Sequence, residues 1–143
     1  MEIVISRSES KSEGTVPVSV MQLRGALDGQ TYEQFITEAQ KLFDSGARDL
    51  LLDMTDLTFL SSAGIAALHR MARIYRGEKS TTLDEGWSAM RTIANDRDTG
   101  FTFQKHIKLL NPNEKIEDVL DTVGFKAFFE IFTDVDTAIA SFQ

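Results

Sequence analysis

The sequence predicts a single α/β domain with a mixed, mostly parallel β-sheet and the element order ββαβαβαβα. Three observations support this prediction. Segments with strand character alternate with segments of helical periodicity along most of the chain, as in α/β proteins. Residues 49–54 form a nearly continuous apolar run, as expected for a strand buried on both faces of a parallel sheet. The length of 143 residues fits one domain with one core.

The first two predicted strands lie at residues 1–7 and 16–23, which are rich in β-branched and apolar residues. They are expected to pair antiparallel, because their connection is short. The glycine-containing segment 25–29 is predicted to be a turn.

The first helix is predicted to follow Thr31, which has Gln34 three residues later, as in a capping box. Gly46 is placed to end this helix. The apolar strand at 49–54 comes next and is predicted to end in a tight polar turn. The later elements follow the same alternation: a helix over 62–76, a strand over 105–110, a helix from 112, a strand over 127–132 and a helix from 134.

The last two helices have recognisable starts in the sequence. Asn111 is predicted to be the cap of the first, with Pro112 in its first turn, and Gly124 ends it. Thr133 together with Asp136 is predicted to cap the final helix.

Residues 77–102 are predicted to be an insertion before the fourth strand. The segment is polar apart from Trp87, Met90 and Ile93, which have helical spacing. Because long structureless loops are uncommon in compact domains, the three apolar residues are expected to anchor a short helix to the core. We find no linker, and one domain is predicted over residues 1–143.

The overall charge and composition exclude several classes of protein. There are 22 acidic and 15 basic residues, for a formal net charge of -7, which opposes binding to nucleic acids and to anionic membranes. The absence of cysteine removes disulfides, thiolate catalysis and cysteine metal sites. No signal peptide or membrane-spanning run is visible, so a cytoplasmic protein is expected.

The sequence offers no plausible catalytic or metal centre. Its two histidines are His69 and His106. His69 would lie about 10 Å along the helix axis from Ser61 or Ser62, which is beyond hydrogen-bond reach. We find no nucleophile elbow, no metal-ligand spacing and no glycine-rich phosphate loop, and therefore predict no catalytic residue, no metal and no cofactor.

The most informative segment is the transition from strand to helix at residues 50–65. Ser62 is predicted to lie at the start of a helix, where N–H groups lack partners and the helix dipole favours negative charge. Its hydroxyl is either an ordinary helix cap or a site that accepts a phosphate. Asp53 and Asp56 are expected to shape the strand end and turn, and Gly64 to allow close packing.

Three segments resemble the STAS domain, a family named for sulfate transporters and anti-sigma factor antagonists. Residues 23–28, Leu-Arg-Gly-Ala-Leu-Asp, look like the family's L-x-G-x-L-D ending of the second strand. Residues 52–65 resemble its strand, turn and D-S-S/T-G helix start. The C-terminal strand, helix and Gly124-Phe125 pair are the third match. The resemblance covers nearly all of the chain except residues 77–102.

The resemblance implies an anti-sigma factor antagonist that switches partners when it is phosphorylated. Aligning Gly64 with the family's glycine puts the phosphorylated serine at Ser62, with Ser61 as second choice. Asp28, Ser61, Ser62 and Gly64 are then expected to belong to the partner-binding surface. The implied partners are a serine kinase that is also an anti-sigma factor and a metal-dependent serine phosphatase, and a homodimer is left open.

Two residues depart from the family motif, and two other functions remain open. Ser61 stands where the family usually has Asp, which removes a negative charge beside the acceptor, and Ala63 replaces the second hydroxyl. The alternatives are a STAS scaffold or sensor that is not phosphorylated, and a module that binds a small molecule or nucleotide with the insertion as a lid. Asp28 has a structural alternative too, because Asp is common in turns.

Overall fold

The computed structural model describes residues 1–8, 17–75 and 104–142 and has the predicted α/β fold. Helices and strands alternate in the predicted order ββαβαβαβα. The strands are Glu2–Ser8 (β1), Val18–Leu27 (β2), Asp49–Leu60 (β3), Ile107–Leu110 (β4) and Glu130–Phe132 (β5). The α-helices are Tyr32–Asp44 (α1), Ser62–Tyr75 (α2), Glu114–Thr122 (α3) and Val135–Ala140 (α4), with a short 3₁₀ turn at Phe125–Ala127.

The five strands form one sheet in the order β1-β2-β3-β4-β5. β1 is antiparallel to β2, and each later pair is parallel. Each of the connections β2–β3, β3–β4 and β4–β5 leads to the neighbouring strand on the same side. Since such connections are right-handed, α1, α2 and α3 lie on one face of the sheet. Buried residues of all three helices accordingly share one hydrophobic cluster, among them Phe35, Ile65 and Ile116.

The opposite face of the sheet is covered by α4. Ala138 of this helix packs in a second cluster with Val18, Leu51 and Leu110. On β3, Leu50 and Leu52 belong to the larger cluster, while Leu51 between them belongs to the smaller one. All three leucines are fully buried. The prediction of a strand buried on both faces is therefore confirmed.

β2 and β3 are longer than the sequence predicted: the turn predicted at 25–29 begins only at Asp28, and the turn predicted after Met54 is absent. The strands remain paired to their ends, where Leu27 lies opposite Leu60. Gly25, at φ +103°, lies within β2 beside two register shifts, so the glycine marks a β-bulge and not a turn. The polar residues after Met54 lie mainly on exposed positions of a continuing strand, which explains why they resembled a turn.

The predicted capping box of α1 does not form. Thr31 precedes the helix but makes no side-chain cap bond. Its hydroxyl donates to the carbonyl of Ala26 at 2.8 Å and accepts from the amide of Asp28 at 3.0 Å. Gln34 instead donates to the carbonyl of Met1 at 3.2 Å. Both side chains hold the β2–α1 turn and the N-terminus in place.

The caps of α3 and α4 lie one or two residues later than predicted. Asn113, not Asn111, caps α3 by accepting from the amide of Ile116 at 2.9 Å. Asn111 has a left-handed backbone at φ +55° in the loop before the helix. Asp134, not Thr133, caps α4. The last strand is also shorter than predicted, because Phe125–Ala127 turns before it.

Some predictions fall on residues outside the described ranges. The insertion at 77–102, with Trp87, Met90 and Ile93, is among them, as is Arg76, the predicted end of the second helix. The extent of the single domain over residues 1–143 stays a prediction.

Candidate functional site

The candidate residues lie together where β2 and β3 end side by side. Asp28 directly follows β2, and Ser61 directly follows β3. The amide of Ser61 donates to the carbonyl of Leu27 at 3.0 Å, which ties the two strand ends together. Since α2 begins at Ser62, only one residue separates β3 from the helix.

Ser61 is the N-cap of α2. Its hydroxyl accepts a hydrogen bond from the amide of Gly64 at 3.2 Å, and its carbonyl accepts from the amide of Ile65 at 2.9 Å. Ser62 is the first helical residue and is exposed, whereas Ser61 is half-buried. The capping role considered for Ser62 is therefore wrong, because that role belongs to its neighbour.

Gly64 is where α2 packs against the ends of both strands. A β-carbon at this position would lie 2.5 Å from the carbonyl oxygen of Leu27 and 2.7 Å from the side chain of Leu60. Distances this short leave no room for any side chain, so the prediction of close packing is confirmed. Gly64 is itself buried. It therefore lies beneath the surface that carries Ser62.

Asp28 is half-buried and ordered by its own turn. Its Oδ1 accepts from the amide of Gln30 at 2.9 Å and lies 3.3 Å from the hydroxyl oxygen of Thr31. This is the turn-forming role expected of an aspartate at such a position. The hydrogen bond between Leu27 and Ser61 also keeps this carboxylate at the same end of the sheet as Ser62.

Asp53 and Asp56 stabilise the exposed part of β3. Asp53 accepts from the amide and hydroxyl of Thr55 at 3.0 and 2.6 Å. Asp56 accepts from Gln22 at 3.1 Å and lies 3.6 Å from the guanidinium of Arg24. Their role is structural, as expected, although they brace a continuing strand and not a turn.

Comparison with known families identifies the domain. The family model described as "Mlab, STAS domain" matches residues 12–93, more than half of the chain. The chain belongs to the STAS domain family. The resemblance drawn from the sequence is thereby confirmed. No curated protein sequence matches this STAS domain.

Solved structures share the fold of this STAS domain over almost its full length. An anti-sigma factor antagonist from Mycobacterium paratuberculosis aligns with a TM-score of 0.63 and 14% identity, covering 98% of this chain and 93% of that one. The Bacillus cell fate determinant SpoIIAA in its phosphorylated form aligns at 0.57 and 16%, covering 98% and 100%. A candidate anti-sigma factor antagonist from Thermotoga maritima aligns at 0.60 and 14%, covering 95% and 92%. At sequence identities this low, the structural similarity establishes the common fold and nothing more.

The histidines of the STAS domain lie away from Ser62. His69 is buried within α2. His106 pairs with Asp49 at 2.8 Å, where β3 begins. Since β3 has 12 residues, this pair is roughly 30 Å or more from the serines at its other end. Among residues 1–8, 17–75 and 104–142, no cluster of metal-ligating side chains is found, and no helix is long and apolar enough to span a membrane.

Phe59 is a surface residue near the site that the sequence did not single out. Its side chain is 54% exposed, although it lies in β3, three residues before Ser62. A phenylalanine in a strand is ordinarily expected in the core. The burial of Leu57 and Leu60, three residues apart, departs from the alternation of a regular strand and leaves Phe59 outside. Hydrophobicity alone therefore gave no signal for its exposure.

Proposed function

We propose that this STAS domain is an anti-sigma factor antagonist that switches partners through phosphorylation of Ser62. The observation that carries the proposal is an exposed serine in the first helical position, at the same end of the sheet as Asp28, with Ser61 already used as the cap. The fold shared with anti-sigma factor antagonists, including SpoIIAA in a phosphorylated form, supports it. This role belongs in the cytoplasm, where sigma factors act.

The unphosphorylated domain would bind a serine kinase that is also an anti-sigma factor, and so release the sigma factor. A phosphate on Ser62 would add about -1.5 to -2 charges. The partner would then have to desolvate a dianion where it had packed against a neutral hydroxyl. That typically costs several kcal/mol if the charge is unpaired, enough to weaken a complex by about two decades or more. A metal-dependent serine phosphatase would restore binding.

The start of α2 is suited to carry that phosphate. Ser61 accepts from the amides of Gly64 and Ile65, which leaves the amides of Ser62 and Ala63 as the first-turn donors it does not use. Donors at a helix N-terminus and the helix dipole stabilise a nearby anion. We therefore expect phosphorylation to change the surface and to leave the fold intact.

The departure from the family motif at Ser61 does not remove the cap. Ser and Asp are about equally good at an N-cap, and Ser61 makes the cap bond to Gly64. What differs is the missing negative charge beside the acceptor. The replacement therefore bears on recognition by the kinase more than on the geometry of the helix start.

The experiment uses the kinase captured by pull-down with the wild-type domain and then purified. With radiolabelled ATP, Ser62→Ala is expected to lose phosphate incorporation and keep binding. Ser62→Asp is expected to fold normally and to bind the kinase about 100-fold more weakly, because the partner must desolvate the aspartate charge. Calorimetry measures the affinities.

The matched control is Ser61→Ala, which is expected to keep phosphorylation. Labelling of Ser62→Ala at the wild-type level would contradict the assignment and make Ser61 the next candidate. Wild-type binding without any phosphate incorporation would instead favour an unphosphorylated scaffold. Ligand-dependent shifts in melting temperature without a kinase would favour the small-molecule or nucleotide binder.

Homodimer formation stays a prediction. Among the described strands β1 pairs only with β2, and its Val4 and Ile5 are each 39% exposed. A regular edge strand with exposed apolar side chains is a surface on which self-association is expected.

A further inference from the structure

We propose that Phe59 is the apolar anchor by which the domain docks its kinase, next to the phosphorylation site. The inference rests on the proposed function and deepens it, because it assigns the affinity of the complex to a residue other than Ser62. Phe59 is the most exposed of the large hydrophobic residues in the described part of the chain. The others are Val135 at 42% and Val4 and Ile5 at 39%.

Exposure alone would not carry this inference, since single apolar residues are common on protein surfaces. Position is the second argument. Phe59 is three residues from Ser62, so their Cα atoms are at most about 11 Å apart. It also pairs with Ala26 of β2, two residues before Asp28. The backbone that carries the phenyl ring is therefore within reach of a partner that covers the Ser62 hydroxyl and the Asp28 turn.

The backbone around Phe59 is held in place by its neighbours. Next to Phe59, Leu60 is paired with Leu27, and the Ser61 amide is bonded to the Leu27 carbonyl. On the other edge of β3, beyond the end of β4, the side-chain amide of Asn113 donates to the carbonyl of Leu57 at 3.1 Å. The backbone carrying the ring is therefore held on both sides. Burying a side chain on an ordered backbone costs little additional entropy, which favours affinity.

These features define the chemistry of the partner. Its docking face would hold a pocket lined by apolar side chains for the ring, beside an uncharged surface for the Ser62 hydroxyl. Aromatic residues that fill such pockets near the centre of an interface contribute much of the binding energy. Phe59 would then contribute to affinity in both phosphorylation states, and Ser62 would set the difference between them.

The experiment measures dissociation constants by calorimetry between the purified kinase and four proteins. These are the wild type, Phe59→Ala, Phe59→Thr and the matched control Val135→Ala, which shortens another exposed apolar side chain on α4. Both Phe59 variants are expected to weaken binding at least about tenfold. Val135→Ala should stay within about twofold of wild type. Thr keeps strand propensity without the ring, so one variant still tests the anchor if the other folds poorly.

The phosphomimetic provides a second measurement. The Ser62→Asp change is introduced once into the wild-type domain and once into the Phe59→Ala variant, and its effect on affinity is compared between the two. An anchor independent of the phosphorylation state leaves the loss caused by Ser62→Asp the same within about threefold, as for sites whose effects add. In kinase assays Phe59→Ala should raise KM and leave kcat near the wild-type value.

The failures of the two proposals are distinguishable. Wild-type affinity in both folded Phe59 variants, with normal labelling of Ser62, overturns the anchor and leaves the partner switch standing. An equal loss in Val135→Ala also overturns it, because the effect would then not be local. Absence of kinase binding to the wild-type domain overturns the partner switch, and the anchor with it.

Discussion

Two adjacent serines at the start of α2 have different roles because one residue changes the direction of the chain. Ser61 follows the strand and its hydroxyl accepts a hydrogen bond from the amide of Gly64, while Ser62 begins the helix and is exposed to solvent. The separation matters for the proposed switch. A kinase would meet one hydroxyl already engaged in a hydrogen bond and one that is exposed.

The Ser61 cap can be measured directly. Ser61→Ala is expected to lower the free energy of unfolding by about 1 kcal/mol, because an amide of the first turn loses its acceptor. Ser61→Asp should keep most of the stability, since Asp caps about as well as Ser. Urea unfolding followed by circular dichroism gives the values. The control is Ser62→Ala, expected within about 0.5 kcal/mol of wild type, and an equal loss there would contradict the assignment of the cap.

At the residue scale the sequence predicted helix starts better than it predicted which residue caps them. Asn111 and Asn113 are both good caps by type, and no local rule separates them. Contacts between elements decide: Asn111 donates to Thr55 and Asn113 to the carbonyl of Leu57, both on β3. Such contacts are invisible until the neighbouring strand is placed.

Between helices, Tyr75 links α2 to α1. Its hydroxyl donates to the carbonyl of Ala39 at 3.0 Å, and its ring meets that of Phe43 edge-on, with 5.3 Å between the ring centres. Burial raises the pKa of Tyr75 well above its ordinary value of 10.0. The folded state therefore holds this proton more tightly than the unfolded chain does.

The raised pKa predicts a loss of stability in alkaline solution. The stabilisation is fully present below the ordinary pKa of 10.0 and is lost as the pH rises through the higher pKa of the folded state. We expect the free energy of unfolding of the wild type to fall above about pH 10 more steeply than that of Tyr75→Phe. Below that pH the variant should be less stable by about 1 kcal/mol, since a hydrogen bond is lost.

Urea unfolding between about pH 8 and 11, on either side of the ordinary tyrosine pKa, supplies the measurement. Tyr32→Phe, which removes the only other tyrosine, is measured alongside. Identical slopes in Tyr75→Phe and wild type would show that this proton is not held more tightly in the folded domain.

Existence and order of the elements followed from the sequence, but the lengths of β2 and β3 did not. Residues 49–54 were recognisable because a strand buried on both faces is apolar throughout. Beyond Met54 only Leu57 and Leu60 of β3 are buried, and the polar residues Thr55, Asp56 and Thr58 are typical of a turn. Pairing with β2 keeps this segment extended, and that depends on a neighbour distant in sequence.

For the candidate site, too, the sequence predicts which residues lie together but not which side chains are exposed. Convergence of Asp28, Ser62 and Gly64 was expected from the STAS resemblance, and the ends of β2 and β3 lie side by side. Phe59 was missed, because its exposure follows from the irregular end of the β2–β3 pairing.

For the molecule as a whole, the formal net charge of -7 should prevent binding to DNA and RNA. Arg70 and Arg73 of α2 are each partly buried and engaged in interactions within the domain, so they do not form a free basic surface. A gel-shift assay at low salt is expected to show no complex at micromolar protein. Salt-sensitive binding at that concentration would contradict this prediction.

The tight fit of Gly64 beneath Ser62 has a consequence for timing. Two strand ends and one helix start meet there without space for a methyl group, so these three elements are closely packed. Under the proposed function, phosphorylation of Ser62 would change partner binding without any rearrangement of the domain. Its response time would be that of phosphoryl transfer and partner dissociation. The domain would stay in its phosphorylated state for as long as the phosphate ester lasts, so the phosphatase would set the duration of that state.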